Sequence, residues 1–300
     1  MTDSIFKRRG GGRRFRSRVA GATALVALFA AGMLVTLVGG AAAAARAVPL
    51  GTADSFAVLA GAGITNTGPT TVTGDLGTFP TTTMTGTASL TITGTNHAGD
   101  AVTQGAKTDL VTAYNTAAGE GPTSPIAADL GGQTLKPGVY NSASAIGLTG
   151  TLTLDAGGNP NAAFVFQAGS TLTTASASHV NLVNGAQACN VYWQVGSSAT
   201  LGTGSSFRGT ILALTSITVT TGATVDGRVL ARNGAVTLDT NTITRPTCAK
   251  ATTTTGKTTT TTATTPKKKV VTPKQPKKKV VTPKKHTTAR PAKRHVGLTG

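Results

Sequence analysis

Aliphatic and hydroxyl-bearing side chains alternate in short runs through the middle of this chain: Thr151-Leu152-Thr153-Leu154, Thr171-Leu172-Thr173, Ile217-Thr218-Val219-Thr220 and Val236-Thr237-Leu238. A period of two puts the aliphatics on one side of a strand and the threonines on the other. Glycines punctuate the runs where tight corners are needed. The runs also repeat. Ala199 to Ala213 aligns with Ile217 to Ala231 eighteen residues later, and Val236-Thr237-Leu238-Asp239-Thr240 follows after nineteen more. A fixed period of this length, with strands and glycine corners, predicts stacked coils that each bury an aliphatic row and show a hydroxyl row.

One segment has a different period. Val102, Ala106, Leu110, Ala113, Tyr114 and Ala117 fall at helical spacing, and Gly119 is placed to end the helix. The repeats Gly209-Thr210-Ile211-Leu212-Ala213 and Gly227-Arg228-Val229-Leu230-Ala231 are apolar on both sides, as doubly buried strands are. The helix is therefore expected to lie over Leu212 and Leu230. His97, just before it, is read as a neighbour of the cap.

Charge divides the chain into three. Residues 1–47 carry eight Lys/Arg and one acid, residues 48–248 six against nine acids, and residues 249–300 fourteen with no acid. The net charge of +18 thus belongs to the two ends. The first segment reads as an export signal: a basic start, an apolar stretch from Val19 to Val38, and Ala45-Arg46-Ala47 as an A-x-A cleavage pattern. The apolar stretch is also long enough to anchor uncleaved. Either way the central domain is expected outside the cell or held at its wall. Cys189 and Cys248, the only cysteines, are then expected to pair as a disulfide rather than bind metal, two unpaired buried thiols being the other reading.

The last segment is Thr, Lys and Pro. Pro266-Lys267-Lys268-Lys269-Val270-Val271-Thr272-Pro273-Lys274 recurs almost verbatim from Pro276. It cannot bury a core, and it is expected to be disordered. Outside a cell it would adhere to anionic cell-wall polymers or lipid headgroups, or serve only as a spacer; nucleic acid is not an expected partner.

The residues of the middle domain resemble the ice-binding-protein-like β-solenoids of bacteria and fungi. The likeness is carried by Leu50 to Ala60, Val72 to Gly77, Leu135 to Tyr140, Asn159 to Gln167, Gly185 to Val195 and Ala231 to Asp239. It implies a mainly β fold, an irregular right-handed β-helix with one long α-helix packed alongside, and an ice surface as partner. It also brings a loose Thr-Ala/Gly-x-Thr/Asn motif, matched at Thr67-Gly68-Pro69-Thr70, Thr93-Gly94-Thr95-Asn96 and Thr221-Gly222-Ala223-Thr224.

Two ladders of candidate residues follow. The strand ladder holds Thr171, Thr173, Thr200, Thr218, Thr220 and Thr237; the corner ladder holds Thr67, Thr70, Thr203, Thr221, Thr224 and Thr240. Asp155 and Asp239 are expected to interrupt the outward row. The rival reading is a non-catalytic surface module that binds glycan or protein, since Thr favours strands whatever its use. No enzyme is expected, nor a cofactor or metal. The acids are scattered, His97 and His179 stand alone, Tyr192 and Trp193 read as core, and no catalytic fingerprint is present.

Overall fold

The computed structural model describes residues 44–121 and 123–249; the expected signal segment, up to residue 43, and the expected disordered tail lie outside them. Strands pair in parallel throughout the described residues, in two sheets of fifteen and seven strands. The eight-residue strands Ser206–Ala213 and Thr224–Ala231 each turn a corner and so belong to two rows at once. Their first halves pair with His179–Val183 and Thr242–Thr244, and the second half of each pairs with Val191–Val195 or Phe56–Ala60. At that corner Gly209 has φ +112°, and a Cβ at Gly227 would lie 1.9 Å from the Gly209 carbonyl oxygen. Only glycine lets the two backbones stack so closely.

The result is a coil with three sides. One side is covered by the helix, one is mixed in character, and the third is the seven-stranded sheet. Inside the coil, Leu, Val, Ile and Phe side chains form a continuous core. Tyr140, Phe166 and Trp193 stack through it, the Phe166 and Trp193 rings nearly parallel with centroids 4.0 Å apart, and Phe207 packs tilted against Trp193. Trp193 is therefore core, as its setting in the sequence suggests.

Chain order and stacking order differ. Residues 56–97 form two coils at one end. The helix Ala101–Gly119 then runs back along the stack, and the coils from Ser124 climb until Val236–Asp239 and Thr242–Thr244 dock against Ile64–Thr67 and Thr70–Thr73. The helix can span this stack because 19 residues rise about 28 Å, roughly six strand spacings.

The helix is built as its spacing predicts except at its start, where Val102 is 47% exposed and Thr103 is buried in its place. Asp100 caps its start, the carboxylate accepting from the Thr103 amide at 2.9 Å, and His97 Nδ1 contacts the same carboxylate at 2.6 Å. Ala106, Leu110, Ala113, Tyr114 and Ala117 are buried against Phe56, Leu59, Val139, Val165, Tyr192, Leu212 and Leu230. Leu110 has no exposed surface; its burial alone contributes about 2 kcal/mol. The stripe is mostly alanine, which lets the helix approach the sheet closely.

Three polar anchors fix its register. Lys107 donates to the carbonyls of Ala231 and Arg232 at 2.5 Å each, Gln194 donates to the Tyr114 hydroxyl, and Gln167 donates to the carbonyls of Ala117, Ala118 and Glu120. The helix does end at Gly119, but Gly119 is not among the residues with positive φ. Gln167 takes up the last carbonyls instead. The expected Cys189–Cys248 disulfide is present, with Cα atoms 5.7 Å apart.

Candidate functional site

The seven-stranded sheet consists of Ile146–Leu148, Leu172–Thr174, Ala199–Leu201, Ile217–Val219, Val236–Asp239, Ile64–Thr67 and Met84–Thr85, side by side in that order. Every first residue, from Ile146 to Met84, points into the coil. The second residue points out. In strict register these are Gly147, Thr173, Thr200, Thr218, Thr237, Thr65 and Thr85. Six successive threonines thus stand in one file, at strand spacings of about 4.8 Å.

A second file lies two residues earlier on each strand: Thr171, Ser198, Ser216, Ala235, Gly63 and Thr83. Their carbonyls each accept from the amide of the neighbouring strand at 2.8–3.2 Å, so the ladder continues without a break. The third file, two residues later, holds Thr149, Ala175, Gly202, Thr220, Asp239, Thr67 and Thr87. Across all three files the side chains are Thr, Ser, Ala or Gly, with one charge, Asp239. Its carboxylate accepts from the hydroxyls of Thr221 and Thr240.

The other two sides differ. The covered side lies beneath the helix. The mixed side carries the ion pairs Arg208–Asp226 at 2.7 Å and Lys136–Asp155 at 2.6 Å. The Lys136 contact, with hydrogen bonds from Asn184 and the Gly157 amide, lowers the Asp155 pKa to about 2, so it stays ionised. Asp155 therefore does not interrupt the threonine side; Asp239 does.

The strand-ladder candidates come together: Thr173, Thr200, Thr218 and Thr237 in the middle file, Thr171 and Thr220 beside it. Of the corner candidates, Thr203, Thr221 and Thr240 are exposed at the edge of this side, and Thr67 pairs with Asp239. Thr224 instead begins the mixed side, between Ser206 and Thr242. Thr70 is a correction. It is 1% exposed, and its hydroxyl accepts from the Asn241 amide inside the coil. The motif match there is a buried corner clasp.

Thr65 and Thr85 were not expected. They come from the coils that precede the helix, outside the eighteen- and nineteen-residue repeat. The alternation in Ile64-Thr65-Asn66-Thr67 was the available signal, but not its partner strand.

Comparison with known proteins agrees with this architecture. The ice-binding-like family model matches residues 58–244. An ice-binding protein of Nostoc sp. (strain HG1) is 50% identical over 194 residues, covering 64% of this chain and 72% of that protein. One from Colwellia sp. is 39% identical over 225 residues, covering 69% and 87%. Among solved structures, an ice binding protein from an Antarctic biological consortium shares 49% identity, with a TM-score of 0.67 over 68% of this chain and 93% of its own. That of the ascomycete Antarctomyces psychrotrophicus shares 43% identity, with a TM-score of 0.64 over 66% and 98%. With a family model covering most of the domain and relatives this similar, the chain belongs to the ice-binding-like family.

Proposed function

We propose that this chain binds ice through the threonine side of its seven-stranded sheet and thereby slows ice growth and recrystallisation. The observation that carries the reading is the file Thr173, Thr200, Thr218, Thr237, Thr65 and Thr85, in register on the one side that is neither covered nor crossed by ion pairs. Ice offers no pocket and no net charge, only a repeating array of oxygens. A partner for it must be rigid, repetitive and weakly hydrated. Threonine meets these needs: its β-branch restricts χ1, its methyl displaces loose water, and its hydroxyl holds ordered water that can bridge to the lattice.

The same proposal includes the finer architecture. Parallel strands joined by crossovers in one sheet are overwhelmingly right-handed, and the three-sided stacking follows the pattern of an irregular right-handed β-helix. It also includes a non-catalytic role for the domain at residues 48–248, export by the N-terminal segment, and a location outside the cell or at its wall. The Cys189–Cys248 bridge favours an oxidising compartment. Attachment of the basic segment at 249–300 to anionic wall polymers or lipid headgroups completes the reading.

The test is an ice-recrystallisation assay on the purified full chain and on Thr218→Tyr. The parent chain is expected to arrest coarsening and the variant to arrest it far less well, its ring standing above the plane. Coarsening as fast as in an inert control protein would end the proposal.

A further inference from the structure

A second threonine array adjoins the first. At the end of the stack built by residues 56–97, the mixed side consists of Thr242–Thr244, Thr70–Thr73 and Leu90–Ile92, side by side. Register places Thr242 beside Thr71 and Thr71 beside Thr91. One step along, Thr244 stands beside Thr73, and the Thr93 amide donates to the Val72 carbonyl, which puts Thr93 next in line. All of the six except half-buried Thr244 are exposed. The aliphatics between them, Val72 and Ile243, are fully buried.

The charges of the mixed side reach the edge of this array and are paired there. Asp226 stands in register directly beside Thr244, its carboxylate held by Arg208 at 2.7 Å. Arg245, which follows Thr244, directs its guanidinium to Asp54 at 3.5 Å. Asp75 accepts from the Thr95 amide at the border. What remains is two files of three threonines, neutral and in register.

The two arrays meet at a corner fixed from inside. Asn66 donates to the carbonyls of Gly68 and Gly86 at 3.0 and 3.1 Å, and Asn241 donates to those of Thr220 and Ala223 at 2.8 and 3.2 Å. Gly68 has φ +70°, and a Cβ there would come within 2.5 Å of the Thr240 hydroxyl. These bonds brace the corner from inside, so the angle between the two arrays is held constant.

We infer that ice is engaged on two adjoining sides at this end of the molecule, the second site being Thr71, Thr73, Thr91, Thr93, Thr242 and Thr244. The inference rests on the proposed ice-binding reading and extends it: the occupant is again the ice lattice, reached by continuity around the corner. Two surfaces meeting at a fixed corner cannot both lie flat on one crystal plane. The molecule is therefore built to adsorb to two distinct sets of ice planes.

The experiment uses the full chain as a fluorescent-protein fusion on a single-crystal ice hemisphere. The parent is expected to label two sets of planes. Thr71→Tyr/Thr73→Tyr is expected to lose one set and keep the other, and Thr218→Tyr to show the reverse. Circular dichroism monitors the fold, and Thr91→Arg, on the outermost strand, gives the same readout should the double variant not fold. If the second-side variants label the same planes as the parent while Thr218→Tyr loses labelling, the second site is overturned and the first stands. No labelling by the parent removes both.

Discussion

Thr65 stands directly beside Thr237, although almost the whole domain separates them in the chain. The contact joins the first coil to the last, and it carries the threonine file across a break in chain order. A surface read from one end of the sequence is thus completed by the other. Whatever fastens the first coil also keeps the file continuous.

Asp54 and Arg228 are that fastening. Arg228 is 2% exposed, and burial disfavours its charged form, with Asp54 opposing. It donates to the Asp54 carboxylate at 2.6 Å, to the Asp54 carbonyl at 3.0 Å and to the Thr210 hydroxyl at 3.3 Å. Asp54→Ala leaves a buried guanidinium short of its counter-charge. The expected cost is about 2 kcal/mol, or a Tm lower by roughly 4–8 °C for a domain of this size. Asp54→Asn, which keeps an acceptor, should lose less. Thermal unfolding of the three chains decides it, and equal midpoints would reject the clamp.

Lys107 predicts that stability rises with pH in the mildly alkaline range, where proteins usually lose it. Burial lowers its pKa to about 8, with Arg232 adding repulsion; the unfolded chain keeps the ordinary value. Between these values the unfolded state binds more protons, so stability rises with pH from about 8 to 10 and the burden is fully present below 8. The gain is at most about 3 kcal/mol by linkage. Tyr192, pushed up to about 12 by burial, acts the other way above pH 10, which sets the upper limit of the measurement. Denaturation at pH 8, 9 and 10 should show the rise in the parent chain and not in Lys107→Met.

The architecture was legible because its signals are local. Alternation in Thr171-Leu172-Thr173 and Ile217-Thr218-Val219 fixes which side chains face out, and the repeat fixes which strands adjoin. The helix over Leu212 and Leu230 followed from strands apolar on both sides, and it lies there. What local pattern could not supply was any pairing across the helix. Thr65 and Thr85 belong to coils whose partners lie at the far end of the chain, so neither period nor motif placed them in the file. Thr70 failed for a related reason. Its motif is real, but its hydroxyl is consumed by the Asn241 amide of the adjoining last coil. Asp155 and Asp239 look alike in sequence, yet one lies on the mixed side and the other on the threonine side.

The disulfide should matter for the last coil more than for the stack. Cys189–Cys248 closes a loop with a sequence separation of 59, and the loop-entropy model gives about 4 kcal/mol for such a loop. It holds the segment after Thr244 against the coil, helped by paired hydrogen bonds between Gln187 and Ala249. Cys248→Ser is expected to lower the unfolding midpoint. It should also raise hydrogen exchange first at Thr242–Thr244, the last of the strands that link the two groups of coils. Uniform loss of protection across the domain would show that the bridge acts only on global stability.

Asp239 is the one carboxylate on the seven strands of the threonine side, lying between Thr220 and Thr67, while Asp129 adjoins the far edge beside Gly147. A carboxylate orients its hydration shell around its own charge, which competes with the arrangement a lattice imposes. In the structure it also accepts from the Thr221 and Thr240 hydroxyls, holding both at the corner. Asp239→Asn keeps an acceptor oxygen and removes the charge, so it isolates the electrostatic effect. We expect thermal hysteresis to rise in Asp239→Asn, whereas Asp239→Lys, with a longer side chain and no acceptor, should lose it. If Asp239→Asn instead loses activity while its melting is unchanged, the carboxylate is organising useful water, and the neutral-plane argument for this side fails.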